Sequence, residues 1–530
     1  MGQESRARIR HGRLGAAVVV AAVLGLAGCG GGSSSSSSGG GGSNAATSSG
    51  LPTDYPLPGA DLQNTRYVGG PIDSSNVSTL TKAWSVPIKA QGSFGTYATT
   101  PIILDGVVYT QDIDSNVYAI DLKSGQMKWY KSYNSPSVGP NGVTVDDGVV
   151  YGNTGDSTFA IQASTGEQLW IKKLTRNANE GIDMAPGIHD GTLYVSTVPG
   201  NNAGFYKGNG QAILWAMDAK TGDVKWKWDE VPSNLWSDKY TDINSGGGQW
   251  DPPSFDSNGD VYIGVSNPAP FPGTKDLPQG SSHPGPNLYT DSIVKLDHET
   301  GKLDWYYQLT PHDINDWDMQ NSPMLTTVNG KPAVIDGGKA GIVVAVDQDT
   351  GKLLWKTPVG KHNGHDDDGQ LTIDGPSSTL ASPRTVFPGI LGGIESQLAT
   401  NGKMTYAAVN DLSTTFNDKT GAAALGDFSK GTGEMVAIDQ NTGKVAWQHK
   451  FTSSPYGAAT LSNDVVWTTT FDGTVWALDA NSGDVLWSAK LPAGTNTPVA
   501  VGGGAMITAG SFPLAKTQKA EIVAYTLPAS

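Results

Sequence analysis

The 530-residue chain contains one cysteine, Cys29, which excludes an internal disulfide framework. It has no Cys-x-x-Cys-His run, so a covalently attached haem is excluded as well. Charged residues make up 16%, against roughly 25% in ordinary globular proteins, and no segment carries a heptad pattern. Coiled coils and long solvated helices are therefore ruled out. Lys and Arg number 35 against 50 Asp and Glu, a net charge of -15 that leaves no basic groove for a nucleic acid. Phosphate loops, dinucleotide fingerprints and serine-hydrolase signatures are missing in the strand and helix context they require.

What is present begins with an address. Arg6, Arg8, Arg10 and Arg13 precede an uncharged stretch over 14–28, too short to span a bilayer comfortably but suited to a secretory signal. It ends in Leu26-Ala27-Gly28-Cys29, which resembles a bacterial lipobox. Residues 1–28 are expected to be a lipoprotein signal peptide, with Cys29 lipidated. Residues 29–50, almost all Gly, Ser, Asn, Ala and Thr, are expected to be a flexible tether with nothing to bury. The folded body would be exported and lipid-anchored to a bacterial cell envelope, on its periplasmic or extracellular face.

The remainder, 51–530, is rich in Gly (69 in the whole chain) and Trp (15), and repeats one phrase. Asp-x-x-Thr/Ser-Gly-x-x-x-Trp, or a close variant, ends at Trp129, Trp170, Trp226, Trp305, Trp355, Trp447 and Trp487; an eighth Trp, Trp84, lacks the hairpin half. The Trp-to-Trp steps are 45, 41, 56, 79, 50, 92 and 40 residues. Alternating apolar residues before the Asp predict a half-buried strand. The Asp oxygens bond the turn, Gly supplies positive φ, and Trp opens the returning strand as a flat apolar wedge. A lone hairpin cannot bury that wedge, whereas stacked neighbours in a closed ring can. The spacing predicts an all-β, eight-bladed propeller with Trp rings between blades and long insertions in the 79- and 92-residue steps. The incomplete blade at Trp84 is expected to be finished by the C-terminal strand 521–527.

These repeats resemble the tryptophan-docking motifs of the PQQ-dependent (quinoprotein) alcohol dehydrogenases, over about 51–530. Non-catalytic propellers, such as the lipoprotein of the outer-membrane assembly machinery, carry similar repeats, and a fold does not decide a function. Two insertion segments, 249–273 and 306–323, resemble the active-site segments of the dehydrogenases. In the second, Asp313, Asp316 and Asp318 follow His312. If extended, that segment would point Asp316 and Asp318 to one side, where they repel unless a cation or proton separates them.

The resemblance implies a PQQ cofactor with a calcium or lanthanide ion. Trp250 corresponds to the ring on which the quinone stacks, Asn267 to a metal ligand and Asp316 to the base that takes the alcohol proton. Asp318 corresponds to the additional carboxylate of the lanthanide-using branch, and Lys339 to the cation facing the quinone oxygens. Asn201 falls where the family has a metal-binding Glu, Asn141 where it has an Arg, and Asp183 where it has a Thr. Asp183 is assigned to the cofactor and Asn201 to the metal. The adjacent-cysteine pair of the family is absent, and its Gly-Gly-x-Asn-Trp run reads Gly-Gly-Ile-Glu-Ser over 392–396. Two classes stay open. One is a lipid-anchored oxidoreductase acting on an alcohol, with a separate electron acceptor. The other is a non-catalytic scaffold for envelope proteins. Outside these segments, His362, His365 and Asp366 to Asp368 are expected to form a polar loop.

Overall fold

The computed structural model describes residues 51–92, 94–137, 139–199, 210–236 and 238–528. Antiparallel four-stranded ladders follow one another along the chain, here blades 1 to 7, over residues 102–131, 143–173, 187–229, 254–308, 324–358, 399–451 and 460–490, and Tyr67–Val68 adds a parallel fifth strand to the last. Blade 8 takes Ala500–Gly502, Ala505–Gly510 and Glu521–Thr526 from one end of the chain and Thr81–Pro87 from the other. Trp84 faces Ala524 across that last ladder. The eight-bladed propeller expected from the Trp spacing is therefore closed by joining both ends, as the missing hairpin half at Trp84 implied.

The repeat phrase explains how blades meet. Where the turn carries the Asp, its carboxylate accepts the backbone N–H three residues on, as in Asp347 with Thr350 at 3.0 Å and Asp297 with Thr300 at 2.7 Å. Each Trp from Trp84 to Trp447 in the series donates its indole N–H to a turn carbonyl of the next blade, at 2.7–3.1 Å. The turn glycine of that next blade lies under the ring. A Cβ at Gly351 would come 2.5 Å from Cε3 of Trp305, and its φ is +66°. Trp487 meets no such turn and packs edge-on against Tyr525 of blade 8, at 5.2 Å.

Gly351→Ala is expected to destabilise the protein through both effects. The left-handed backbone costs about 1–2 kcal/mol, and overpacking against Trp305 adds about 1–3 kcal/mol. Gly330→Ala in the same blade, at φ +74° with nothing within 4 Å of the new Cβ, is expected to incur the backbone cost alone. Equal unfolding midpoints for the two variants would remove the docking argument.

The insertions gather over one part of the ring. A small sheet of Arg384–Val386, Thr414–Asn417 and Ala422–Leu425 forms from the longest. Buried Arg384 ties its start together through Asp368 at 3.1 Å and Asp418 at 2.7 Å. Gly369 packs on the carbonyl of His312 with no room for a side chain.

Candidate active site

The loop after the outer strand of blade 4, Leu303–Gln308, is wound by its own acid. Asp313 accepts the N–H groups of Asn315 at 2.7 Å and Trp317 at 2.6 Å. Buried Trp317 then donates to the carbonyl of Pro388 at 3.0 Å, pinning the loop to the long insertion. The tight winding puts Asp316 at φ +66°, so the condition of an extended segment does not hold there. A non-glycine residue held there signals a conformation imposed by its surroundings.

Asp316 and Asp318 nevertheless meet, because a cation joins them. Lys339 follows the strand Lys331–Gly338 of blade 5 and receives its backbone position from Asp318, whose carbonyl accepts its N–H at 3.0 Å. Its Nζ lies 2.9 Å from Asp316 Oδ2 and 2.5 Å from Asp318 Oδ2, the latter an ion pair outside hydrogen-bond alignment. All three side chains are buried. Asp318 Oδ1 accepts the backbone N–H of Asn267 at 2.8 Å.

Asn267 belongs to a short ladder in which Pro268–Ala269 pairs with Ser245–Gly246 and Ser266 donates to the carbonyl of Gly248. Two residues beyond Gly248 is Trp250, buried, with Gly139 packed so closely that a Cβ there would come 2.8 Å from Cζ3 of the ring. The same glycine abuts Asp183, whose Oδ1 accepts the hydroxyl of Ser137 at 2.7 Å. Asp316, Asp318, Lys339 and Asn267 thus form one cluster, and Trp250 with Asp183 a second, joined by the ladder. Asn201 and Cys29 lie outside the described residues. Asn141 is buried and donates to the carbonyl of Asp112 at 2.7 Å.

Two buried acids were missed by the sequence reading. Asp291 was not singled out, and Glu395 was seen only as a departure in Gly-Gly-Ile-Glu-Ser. Both have neither carboxylate oxygen hydrogen-bonded, and Asn315 has an unpartnered amide. Glu230, also missed, is the opposite case. Its carboxylate accepts from Ser196, Gln249 and the N–H of Gly248, and burial still pushes it up to about 7. The residues around His362 remain a polar loop. His362 pairs with Asp366 and His365 with Asp368, so the two imidazoles are held by different acids.

Burial pushes Asp316, Asp291 and Glu395 well above the usual carboxylate range, with Lys339 opposing it in each. Burial alone would lower Lys339, but Asp316, Asp318 and Glu395 overcome it and hold the ammonium well above its ordinary value.

A calcium- or lanthanide-sized ion takes carboxylate and amide oxygens. Buried polar atoms without partners are rare unless water or an ion meets them. Oxygens of Asp291, Glu395, Gln320 and Asn321 are buried without hydrogen-bond partners, but among the described residues no group of three or more His, Cys, Asp or Glu side chains is arranged to hold a metal ion. Trp250, its indole N–H unpartnered, offers an aromatic wall to a flat quinone.

Comparison with known proteins agrees with this chemistry. The PQQ family model, described as the β-propeller domain of glucose/ethanol/alcohol dehydrogenases, matches residues 55–141 and 175–369. The family's cofactor is PQQ, consistent with the aromatic wall described above. A model of the outer membrane protein assembly factor BamB matches 409–528. The chain is 30% identical over 379 residues to the quinohemoprotein alcohol dehydrogenase of Comamonas testosteroni, covering 64% of this chain and 51% of that one. It is 25% identical over 476 residues to the quinoprotein ethanol dehydrogenase of Pseudomonas putida, covering 76% of each. The chain spans about half the length of the first curated relatives it matches. Among solved structures, the Comamonas testosteroni enzyme superposes with a TM-score of 0.77 at 23% identity, covering 90% of this chain and 81% of that one. A europium-containing methanol dehydrogenase superposes at 0.74 and 21%, covering 90% and 99%.

Proposed function

Because the chain belongs to the PQQ family of glucose/ethanol/alcohol dehydrogenase β-propellers, we propose that it is an oxidoreductase that oxidises an alcohol or related hydroxyl substrate with PQQ and a calcium or lanthanide ion. The observation that carries this reading is the buried Asp316–Lys339–Asp318 cluster tied to Asn267. Asp316 takes the hydroxyl proton, and Lys339 orients that carboxylate and opposes the effect of burial on it. Asp318, Asn267 and Asn201 hold the ion, while Trp250 and Asp183 bound the cofactor. PQQ, when bound, supplies the two-electron sink that receives hydride from the substrate carbon. The electrons leave to a separate acceptor. Incubating purified protein with PQQ and calcium or terbium, then recording its absorbance and its reduction of a dye with an alcohol panel, tests the assignment. An unaltered PQQ spectrum with either ion would sink it.

That outcome would favour the second reading, a non-catalytic envelope scaffold, which draws support from the assembly-factor match over 409–528. Both readings include export and a lipid anchor at Cys29, supported by the lipobox-like segment and the Gly/Ser tether. Cys29→Ser is expected to release the protein from the membrane fraction or block its processing. Unchanged mass and membrane association in that variant would refute the anchor.

A further inference from the structure

Residues 55–68 run across the ring and bind one blade after another. Tyr55 exchanges backbone hydrogen bonds with Ile103 of blade 1, at 3.0 and 2.8 Å. The carbonyls of Leu62, Gln63, Thr65 and Arg66 then accept the N–H groups of Phe255, Leu325, Thr400 and Leu461, at 2.8–3.0 Å. These donors lie in the first strands of blades 4, 5, 6 and 7, Ser254–Phe255, Met324–Val328, Ala399–Thr400 and Thr460–Ser462. Residues 62–66 thus meet consecutive blades in order. Asn64 and Arg66 are held at φ +55° and +52° along this path, a backbone that the surroundings impose.

The guanidinium of Arg66 is wholly buried and is met by neutral oxygens. Its Nε donates to the carbonyl of Ala459 at 2.7 Å, Nη1 to the carbonyl of Pro58 and to Oε1 of Gln397, each at 2.5 Å, and Nη2 to Oγ1 of Thr460 at 2.8 Å. Gln397 passes the contact on. Its Nε2 donates to Oγ of Ser322 at 2.9 Å, and the Ser322 hydroxyl donates to the carbonyl of Pro252 at 2.6 Å. Gln397 and Ser322 are both buried. Gln397, Ser322 and Pro252 stand in the loops that lead into the first strands of blades 6, 5 and 4. The same loops carry Glu395, Asp318 and Trp250. The relay therefore joins the loop of the aromatic wall to the loop of the Asp316–Lys339–Asp318 cluster, independently of the ladder through Asn267.

A buried polar network with its members paired holds the segments it joins in one arrangement. Resting on the oxidoreductase reading, we propose that Arg66, Gln397 and Ser322 are positioning residues. Residues 55–68 form the floor of the cofactor space, and the relay from that floor sets the spacing between Trp250 and the Asp316 cluster. None of the three acts on substrate. They act through the loops, where a displacement of about 1 Å costs about 100-fold.

The test uses the full protein with PQQ and calcium. PQQ affinity is read by quenching of Trp fluorescence and by absorbance, and thermal unfolding is followed in the cofactor-free protein. Ser322→Ala changes no charge and removes the hydroxyl that links Gln397 to Pro252. It is expected to weaken PQQ binding about 10- to 100-fold at a temperature where the variant is folded. Gln397→Glu separates positioning from stability. The new carboxylate pairs with Arg66, so the melting temperature should match or exceed that of the parent. It donates nothing to Ser322, whose hydroxyl turns to it and leaves the Pro252 carbonyl. PQQ affinity should therefore fall as in Ser322→Ala although the fold is no weaker. Parental PQQ affinity in either variant, whatever its melting temperature, would make the network structural only and overturn the proposal, while the parent's own binding leaves the oxidoreductase reading standing. A parent that binds no PQQ would overturn that reading and the positioning role with it.

Discussion

Asp316→Asn is expected to abolish alcohol oxidation almost completely while leaving the cofactor in place. The amide is the same size as the carboxylate but does not accept the substrate proton, and loss of a general base costs about 100- to 10,000-fold in rate. The buried position accentuates the effect, since water does not reach Asp316 freely to substitute for the missing base. With the fastest alcohol of the parent and an artificial electron acceptor, kcat should fall while the PQQ absorbance and its titration midpoint stay near parental. Parental turnover in this variant would remove Asp316 from the chemistry. Loss of the cofactor spectrum would instead assign it to binding.

Lys339→Met is expected to produce the largest loss of stability of any single change in the site. The ammonium is wholly buried and separates two carboxylates, at 2.9 and 2.5 Å. Removing one partner of such a group leaves uncompensated charge in a place water does not enter, which costs about 3–5 kcal/mol. The fall should appear as a lower urea midpoint in metal-free protein. Adding Asp316→Asn to the same chain should recover part of it, since the second change removes one of the stranded charges. Terbium should also recover part of it, by replacing the lost positive charge. A Lys339→Met protein that unfolds with its parent would mean that the carboxylates are already protonated and the ion pairs carry no stability.

The ring was legible because every blade repeats one local rule. Asp, Gly and Trp at fixed offsets each answer a local demand, a turn donor, a left-handed φ and a wedge, and the offsets survive long insertions between them. The break in the rule at Trp84 pointed to Glu521–Thr526 as its partner. The candidate site was legible only where a segment resembled those of the dehydrogenase family, as at Trp250, Asn267, Asp316, Asp318 and Lys339. Even there spacing misled. The extended reading of 316–318 ignored Asp313, whose carboxylate winds the loop into a turn. Asp291 and Glu395 carried no local signal, for an acid before a strand or after two glycines ordinarily faces water. Their burial is decided by what other blades bring against them, over separations a linear pattern does not encode. Glu395 did leave one trace, a carboxylate in a run where the resembling family has an amide.

The ladder that closes blade 8 also orders the protein's history. Thr81–Pro87 is made long before its partner Glu521–Thr526. Until that partner has been made, Trp84 has a docking turn ahead of it in blade 1 but no strand at its side. Contacts of such high sequence separation slow folding and prolong exposure of unpaired strand edges. A chain that stops before Glu521–Thr526 would leave Thr81–Pro87 as a permanent open edge, ready to pair with the same strand of another molecule. Premature termination in this protein is therefore expected to yield aggregating chains and not a shortened, functional ring.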